Sequence, residues 1–381
     1  MKRLIGGIAA LAASGTGAFA QNSWNGPSDG DIGMLPAASK LAEEVHFFHN
    51  DILMPIITVI SVFVLALLLY VVFRYNAKTN PVPRKFSHNT LIEVIWTGGP
   101  ILILLVIAFF SFDLLYKEDV VPDGKQVVAR GDGATTDFTL ANDFPPSRTV
   151  AAPKHVQVFK GTAASAEGLV AGRDYTLAGL GSPVVTVKLK TAPAADETVV
   201  IRAGRSLVGA GAAREIALAP SMTLKVVGYQ WGWSYSYPDF GDFEFASNML
   251  PEEKTTPELY RFEVDNRVVV PVGETIRVVT TARDVIHSFA LPNMAIKVDA
   301  VPGRLNETWF KADREGVFYG QCSEICGVRH SAMPIAVEVV SRPKFEAWVD
   351  SQRALAGMAP MFGADLGKFA AAPAADAAAA Q

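Results

Sequence analysis

GVFYGQCSEICGVRHSAMPIAVEVV, residues 316–340, sets a loop with two cysteines between two β-prone runs. GVFYGQC and PIAVEVV have the aliphatic and aromatic make-up of strands. The loop holds Cys322 and Cys326, the only two cysteines in 381 residues, then His330 and Met333. A disulfide between them would close so short a loop that it removes little unfolded-chain entropy and strains the geometry. Zinc could take Cys322, Cys326 and His330, with His287 as a fourth ligand. Met333 points elsewhere, because a thioether beside thiolates and imidazoles is a set suited to copper. An ordinary blue-copper site uses one Cys, two His and a weak Met, which leaves one thiol surplus. The second thiol has a use if both thiolates bridge two copper ions with one imidazole on each. Such a pair would spread one electron over both metals and act as an electron relay.

Further strands are expected around this loop. TLKVVGYQWGWSY (223–235), LYRFEVDNRVVVPVG (259–273) and ETIRVVTTA (274–282) are short, rich in β-branched and aromatic residues, and bounded by turn residues, which predicts an all-β sandwich or barrel. The second imidazole comes from TARDVIHSFALP (281–292), since His46, His49 and His88 lie beside apolar segments and His155 sits in an intervening module. Only His287 and His330 belong to the sandwich. The final strand is expected to end at Val340, with a short helix over about 343–354 and a low-complexity tail from 351.

Towards the N-terminus, residues 52–73 and 94–112 are uncharged runs of 22 and 19 residues, each near the roughly 20 needed to span a bilayer. Arg74, Lys78, Arg84 and Lys85 fill their connection with no acid before Glu93, so the positive-inside rule puts that loop in the cytoplasm and both ends outside. Lys2 and Arg3, an apolar run over 4–13 and Ala18-Phe19-Ala20 read as a secretory signal cleaved before Gln21. The expected divisions are a signal at 1–20, an extracytoplasmic segment at 21–50, a helical hairpin at 51–116, a β-rich insertion at 117–221, a copper domain at 222–350 and the tail. Hydrophobic residues make up 50% of the chain, the formal charge is −4, and there is no basic stripe, so nucleic acid is excluded as a partner.

DVIHSF (284–289), VPGRLNET (301–308), the cysteine loop and the aromatic run GYQWGWSYSYPDFGDFEF (228–245) together resemble subunit II of the aa3-type cytochrome c oxidases. The resemblance covers about 43–116 and 223–349. It implies a cupredoxin-like Greek-key fold after a two-helix transmembrane hairpin, anchored in a bacterial inner membrane with the soluble domain periplasmic. It implies a dinuclear copper centre, CuA, held by His287, Cys322, the backbone carbonyl of Glu324, Cys326, His330 and Met333. It further implies that the Glu324 carboxylate reaches a magnesium ion shared with subunit I, and that haem lies only in that partner. Trp231 would receive the electron from cytochrome c, Trp233 would pack in the core, and Glu93 would stand at the mouth of a proton pathway into subunit I. Asp239, Asp242, Asp265 and Asp284 would be docking carboxylates, and subunit III a further partner. Residues 221–350 hold 18 acidic and 13 basic side chains, a balance that favours a cationic donor.

The chain departs from the family at Tyr229, where His is common, at Gly232, where Tyr is common, and at Ser236, where an acid is frequent. The insertion stands where a much shorter link is usual. It has no cluster of Cys, His or carboxylates and reads as a packing or partner-binding module. Three other readings fit less well. A nitrous oxide reductase is larger and soluble, a quinol oxidase subunit lacks these ligands, and a copper-delivery or sensing protein needs exposed, exchangeable ones.

Overall fold

The computed structural model describes residues 25–28, 30–82, 85–162, 165–209 and 214–363. The secretory signal and residues 364–381 of the tail lie outside them. Ser39 starts helix α1 (Lys40–Arg74) by accepting the Ala42 N–H at 3.0 Å. The helix opens to π-type hydrogen bonding over Phe48–Leu53, just before Pro55, which has no N–H to donate. Helix α2 (Thr90–Asp119) begins in a capping box, with Asn89 accepting from Ile92 N at 3.2 Å and Glu93 Oε1 accepting from Asn89 N at 3.2 Å. Both helices outrun the apolar stretches read from sequence, because their polar ends continue the same helix. Their apolar side chains are exposed along the whole hydrophobic run. An apolar surface of that extent is stable in lipid, so the hairpin is membrane-embedded. Lys117 Nζ bridges to Glu44 Oε2 at 2.6 Å and joins the two helices at one end.

The insertion is an independent β unit. Strands β1 (Lys125–Arg130), β2 (Asp137–Ala141), β3 (Val156–Thr162), β4 (Ser165–Leu169), β5 (Tyr175–Ala178), β6 (Val184–Leu189) and β7 (Thr198–Ala203) form sheets in the orders β1-β7-β3-β4 and β2-β6-β5. Alternate residues such as Val185 and Val187, or Val199 and Ile201, fill one core between them. Two short strands, β8 (Leu207–Val208) and β9 (Glu215–Ile216), lead out of it.

The larger unit contains β10 (Met222–Tyr229), β11 (Gly232–Tyr237), β12 (Phe243–Ser247), β13 (Val268–Pro271), β14 (Thr275–Ala282), β15 (His287–Leu291), β16 (Ile296–Ala300), β17 (Asn306–Lys311), β18 (Gly316–Cys322) and β19 (Pro334–Val340). Two five-stranded sheets, β12-β11-β10-β14-β17 and β13-β19-β18-β15-β16, face each other across a core that includes Trp233, Tyr235, Phe289, Phe310 and Phe318. Parallel pairing of β10 with β14 and of β13 with β19 breaks the simple hairpin order and makes both sheets of the sandwich mixed.

The structure redraws three expectations. The run 223–235 is two strands, split at the Gln230–Trp231 turn. The run 259–273 supplies only β13, because residues 257–262 turn to bury Glu263 against Arg267 Nε at 2.9 Å and the Tyr319 hydroxyl at 3.0 Å. A carboxylate there needs those partners, which an extended strand would not bring together. Helix α3 (Arg342–Leu355) runs past the expected start of the tail, and the Phe362 N–H donates to Asp350 Oδ1 at 3.1 Å. The N-terminal segment belongs to the sandwich too: Ala38 N donates to Asn293 O at 2.8 Å and Asp313 N to Ala38 O at 2.9 Å.

Candidate metal centre

The register of the second sheet collects the sulfur and nitrogen ligands at one end. Antiparallel pairing of Phe289 with Cys322 puts the start of β15, at His287, beside the end of β18. Antiparallel pairing of β18 with β19 puts Met333, just ahead of Pro334, beside the same end. Between them the loop turns back through Gly327, whose φ of 119° suits glycine, and through the 3-10 turn His330–Ala332.

The donors converge. Cys322 Sγ lies 3.9 Å from Cys326 Sγ and 3.9 Å from His287 Nδ1. Cys326 Sγ lies 3.5 Å from His330 Nδ1 and 4.0 Å from Met333 Sδ. The Glu324 carbonyl oxygen stands 3.3 Å from Cys322 Sγ. Both cysteines are free thiols, and their separation is far beyond the roughly 2.05 Å of a disulfide. It is also less than twice the roughly 2.3 Å of a metal–thiolate bond, so one ion can touch both sulfurs. His287, Cys322 and Cys326 already form a metal-competent group with all ligand atoms within 4.8 Å of one another. Two thiols, two imidazoles, a thioether and a carbonyl therefore face one small volume, and the donor chemistry fits copper.

Burial and hydrogen bonding split the two thiols. Burial works against ionisation at both. At Cys322, hydrogen bonds with His287, the backbone at Glu324 and Ser288, and His330 overcome it and bring the thiol down to about 7. Cys326 is pushed up to about 12 by burial and by the negative Cys322 beside it. Ionisation is thus eased at Cys322 and opposed at Cys326, and a metal that takes both thiolates must displace at least the Cys326 proton. Burial lowers His287, but its contacts with Cys322 and Asp284 outweigh that and raise it overall. Burial raises Asp284, and hydrogen bonds from His287, Gln230 and Val285 bring it below the ordinary carboxylate range.

The other residues singled out in the sequence fall into separate places. Trp231 lies in the β10–β11 turn, with its indole N–H donating to Cys326 O at 3.2 Å. Trp233 is fully buried, 6.0 Å from the His287 ring between centroids. Glu324 is half-buried in the ligand loop. Glu93 caps α2, at the far end of that helix from the bridge to Glu44. The four docking candidates do not share one surface. Asp239 and Asp242 follow β11 at the opposite end from Trp231, where Asp239 Oδ2 accepts the Thr223 N–H at 2.5 Å. A six-residue strand separates the two ends by about 20 Å. Asp265 is exposed near the Trp231 end and accepts Asn248 N at 2.8 Å. Asp284 is tied up beneath His287, at 2.9 Å from its Nε2.

Sequence reasoning missed Gln230, whose side chain donates to Cys326 O at 2.8 Å. It also missed Gly228, where a Cβ would lie 2.8 Å from the His287 ring. Exposed apolar residues on two loops were missed as well: Ile325 and Val328 in the ligand loop, Val328 at 91% exposure, and Val285 and Ile286 in the loop before β15. Hydrophobic residues within a functional loop, read together, were the available signal. Two of the three departures lie against each other, since a Cβ at Gly232 would come 2.6 Å from the Tyr229 hydroxyl.

Comparison with known proteins agrees with this site. Residues 222–340 match the family model for the periplasmic domain of cytochrome c oxidase subunit II, and residues 27–114 match that for its transmembrane domain. The chain is 37% identical over 331 residues to a probable cytochrome c oxidase subunit 2 of Rickettsia bellii, covering 87% of each chain. It is 30% identical over 346 residues to cytochrome c oxidase subunit 2 of Cereibacter sphaeroides, covering 86% of this chain and 82% of that one. A crystal structure of the periplasmic domain of cytochrome oxidase subunit II from Bradyrhizobium japonicum is 52% identical, covers 36% of this chain and 96% of that one, and superposes with a TM-score of 0.34.

Proposed function

Because the chain belongs to the cytochrome c oxidase subunit II family, we propose that it is the electron-input subunit of a haem-copper oxidase, taking electrons from cytochrome c at a dinuclear copper centre and passing them to haem in subunit I. The observation that carries this reading is the convergence of Cys322, Cys326, His287, His330 and Met333 with sulfur and nitrogen spacings of 3.5 to 4.0 Å. When bound there, a copper pair supplies a one-electron relay whose charge is spread through both thiolates.

The residues do the rest. Cys322, Cys326, His287 and His330 would hold the copper, with Met333 and the Glu324 carbonyl as weaker donors. His287, Cys322, Cys326 and Met333 are buried and shield the site from water, while His330 is half-buried at its edge. A dry, rigid shell changes little when charge arrives. Trp231, half-buried, donates to the Cys326 carbonyl and offers an aromatic, hydrogen-bonded route from the surface to a thiolate ligand.

Around this core, the family reading supplies the partners. The exposed apolar residues Ile325, Val328, Val285 and Ile286 suit a protein interface, being apolar surface on the ligand loop and the loop before β15. Asp265 is the carboxylate best placed to steer a basic donor. The Glu324 carboxylate would reach a magnesium ion shared with subunit I, and Glu93 would stand at the mouth of a proton pathway on the cytoplasmic side of a bacterial inner membrane. The soluble domain would be periplasmic, subunit III a further neighbour, and oxygen reduction the work of the partner that holds haem.

Mixing reduced cytochrome c with the copper-loaded full chain in detergent tests the reading. Trp231→Ala should slow electron arrival by about tenfold or more, a barrier rise of about 1.4 kcal/mol, with copper content unchanged. Asp265→Lys should slow it mainly at low salt. Equal rates for wild type and both variants would contradict the assignment.

A further inference from the structure

We infer that Asp284 is a positioning residue for the metal centre, fixing His287 and seating the Gln230–Trp231 turn against the cysteine loop. The inference rests on the copper reading above and adds a role that reading does not contain.

Both oxygens of the carboxylate are in use. Oδ1 stands 2.9 Å from His287 Nε2 and also accepts the Val285 N–H at 2.7 Å. Oδ2 accepts the Gln230 N–H at 2.7 Å. A carboxylate can only accept, so Nε2 is the protonated ring nitrogen. Nδ1, the atom facing Cys322 Sγ at 3.9 Å, therefore keeps its lone pair for a metal. The spacing Asp-x-x-His lets one short loop turn the carboxylate back under the ring.

The second oxygen extends the effect across the site. Gln230, held by its N–H on Asp284, turns its side chain onto Cys326 O at 2.8 Å, and Trp231 donates to the same carbonyl at 3.2 Å. One carboxylate thus ties together the loop before β15, the β10–β11 turn and, through that turn, the loop after β18. Asp265 makes no bond of this kind to a ligand: its oxygens accept from Asn248 N at 2.8 Å and Asn248 Nδ2 at 3.4 Å. The Asp284 side chain is 33% exposed, so its positioning bonds are made at the edge of the site.

The test compares wild type with Asp284→Asn, which keeps the size, and Asp284→Ala, all as full chains loaded with copper in detergent. The expected result is a fall in copper affinity of about 10- to 100-fold. The copper absorption bands and paramagnetic resonance couplings should shift, and the midpoint potential should rise, because a less basic imidazole stabilises the oxidised metal less. Asp284→Ala should exceed Asp284→Asn in each. Unaltered copper affinity, spectra and potential in both variants would overturn the inference, whatever happens to KM for cytochrome c. Wild type that binds no copper pair would instead bring down the copper reading itself, and this inference with it.

Discussion

The insertion and the metal-binding sandwich are built by the same rule and put their polar side chains to different uses. In both, alternate residues face a shared core, as along β7 and β10. In the insertion, loop side chains tie backbone to backbone: Asp132 accepts from Ala134 N at 2.9 Å and Thr135 N at 2.7 Å, while Asn142 accepts from Val150 N at 3.0 Å and donates to Ser182 O at 2.7 Å. In the sandwich, loop side chains reach other loops, as Asp284 reaches Gln230 and Gln230 reaches Cys326. Bonds between loops fix the mutual geometry of residues far apart in sequence, which a polynuclear metal site requires. Both units have them, as Asn142 to Ser182 shows in the insertion, but in the sandwich they end on the residues that supply the sulfur and imidazole donors.

Glycine gives the sharpest way to break that contrast. Gly228 faces the His287 ring so closely that an added Cβ would stand 2.8 to 3.0 Å from it, with no flexible neighbour to yield. Gly228→Ala is expected to cost about 1 to 3 kcal/mol by overpacking and to weaken copper binding at least tenfold. Gly168→Ala in β4 places its Cβ 3.7 Å from the Phe159 ring, an ordinary contact. It should stabilise the chain by about 0.5 to 1 kcal/mol, since glycine is a poor strand residue, and leave copper binding alone. Thermal melts and copper titrations of both variants check the pair. Equal effects at the two positions would erase the distinction.

A smaller effect belongs to Asp132. The Thr135 hydroxyl, then the Thr135 and Ala134 N–H groups, hold its carboxyl at about 2. A depressed carboxyl stabilises the fold fully above its unfolded value of about 3.9, and that contribution fades as pH falls towards 2. Asp132→Asn should therefore melt slightly below wild type at pH 6 and level with it near pH 2, with copper uptake unchanged throughout. A deficit that persists at pH 2 would show that the side chain acts by shape rather than charge.

Much of this was legible in the chain itself. Strands β14, β18 and β19 follow the runs ETIRVVTTA, GVFYGQC and PIAVEVV closely, because each pattern matches a strand with buried faces. The helical hairpin was legible from two uncharged runs. The ligand set was legible because both thiols, a histidine and a methionine fall within twelve residues. What escaped depends on contacts distant in sequence. Residues 257–262 turn because Glu263 needs Arg267 and Tyr319. The Tyr229 hydroxyl lies where a Cβ at Gly232 would stand, a contact that sequence does not display. Asp284 is a surface charge whose bond to His287 emerges only in the fold, although Asp-x-x-His beside a ligand was a usable hint.

The claim at the centre of the account is that both sulfurs hold two copper ions as one electronic unit. Copper content together with paramagnetic resonance of the oxidised full chain tests it most directly. Two coppers per chain sharing a single unpaired electron is the result expected. One copper with an electron confined to a single nucleus, or preferential uptake of zinc, would contradict it.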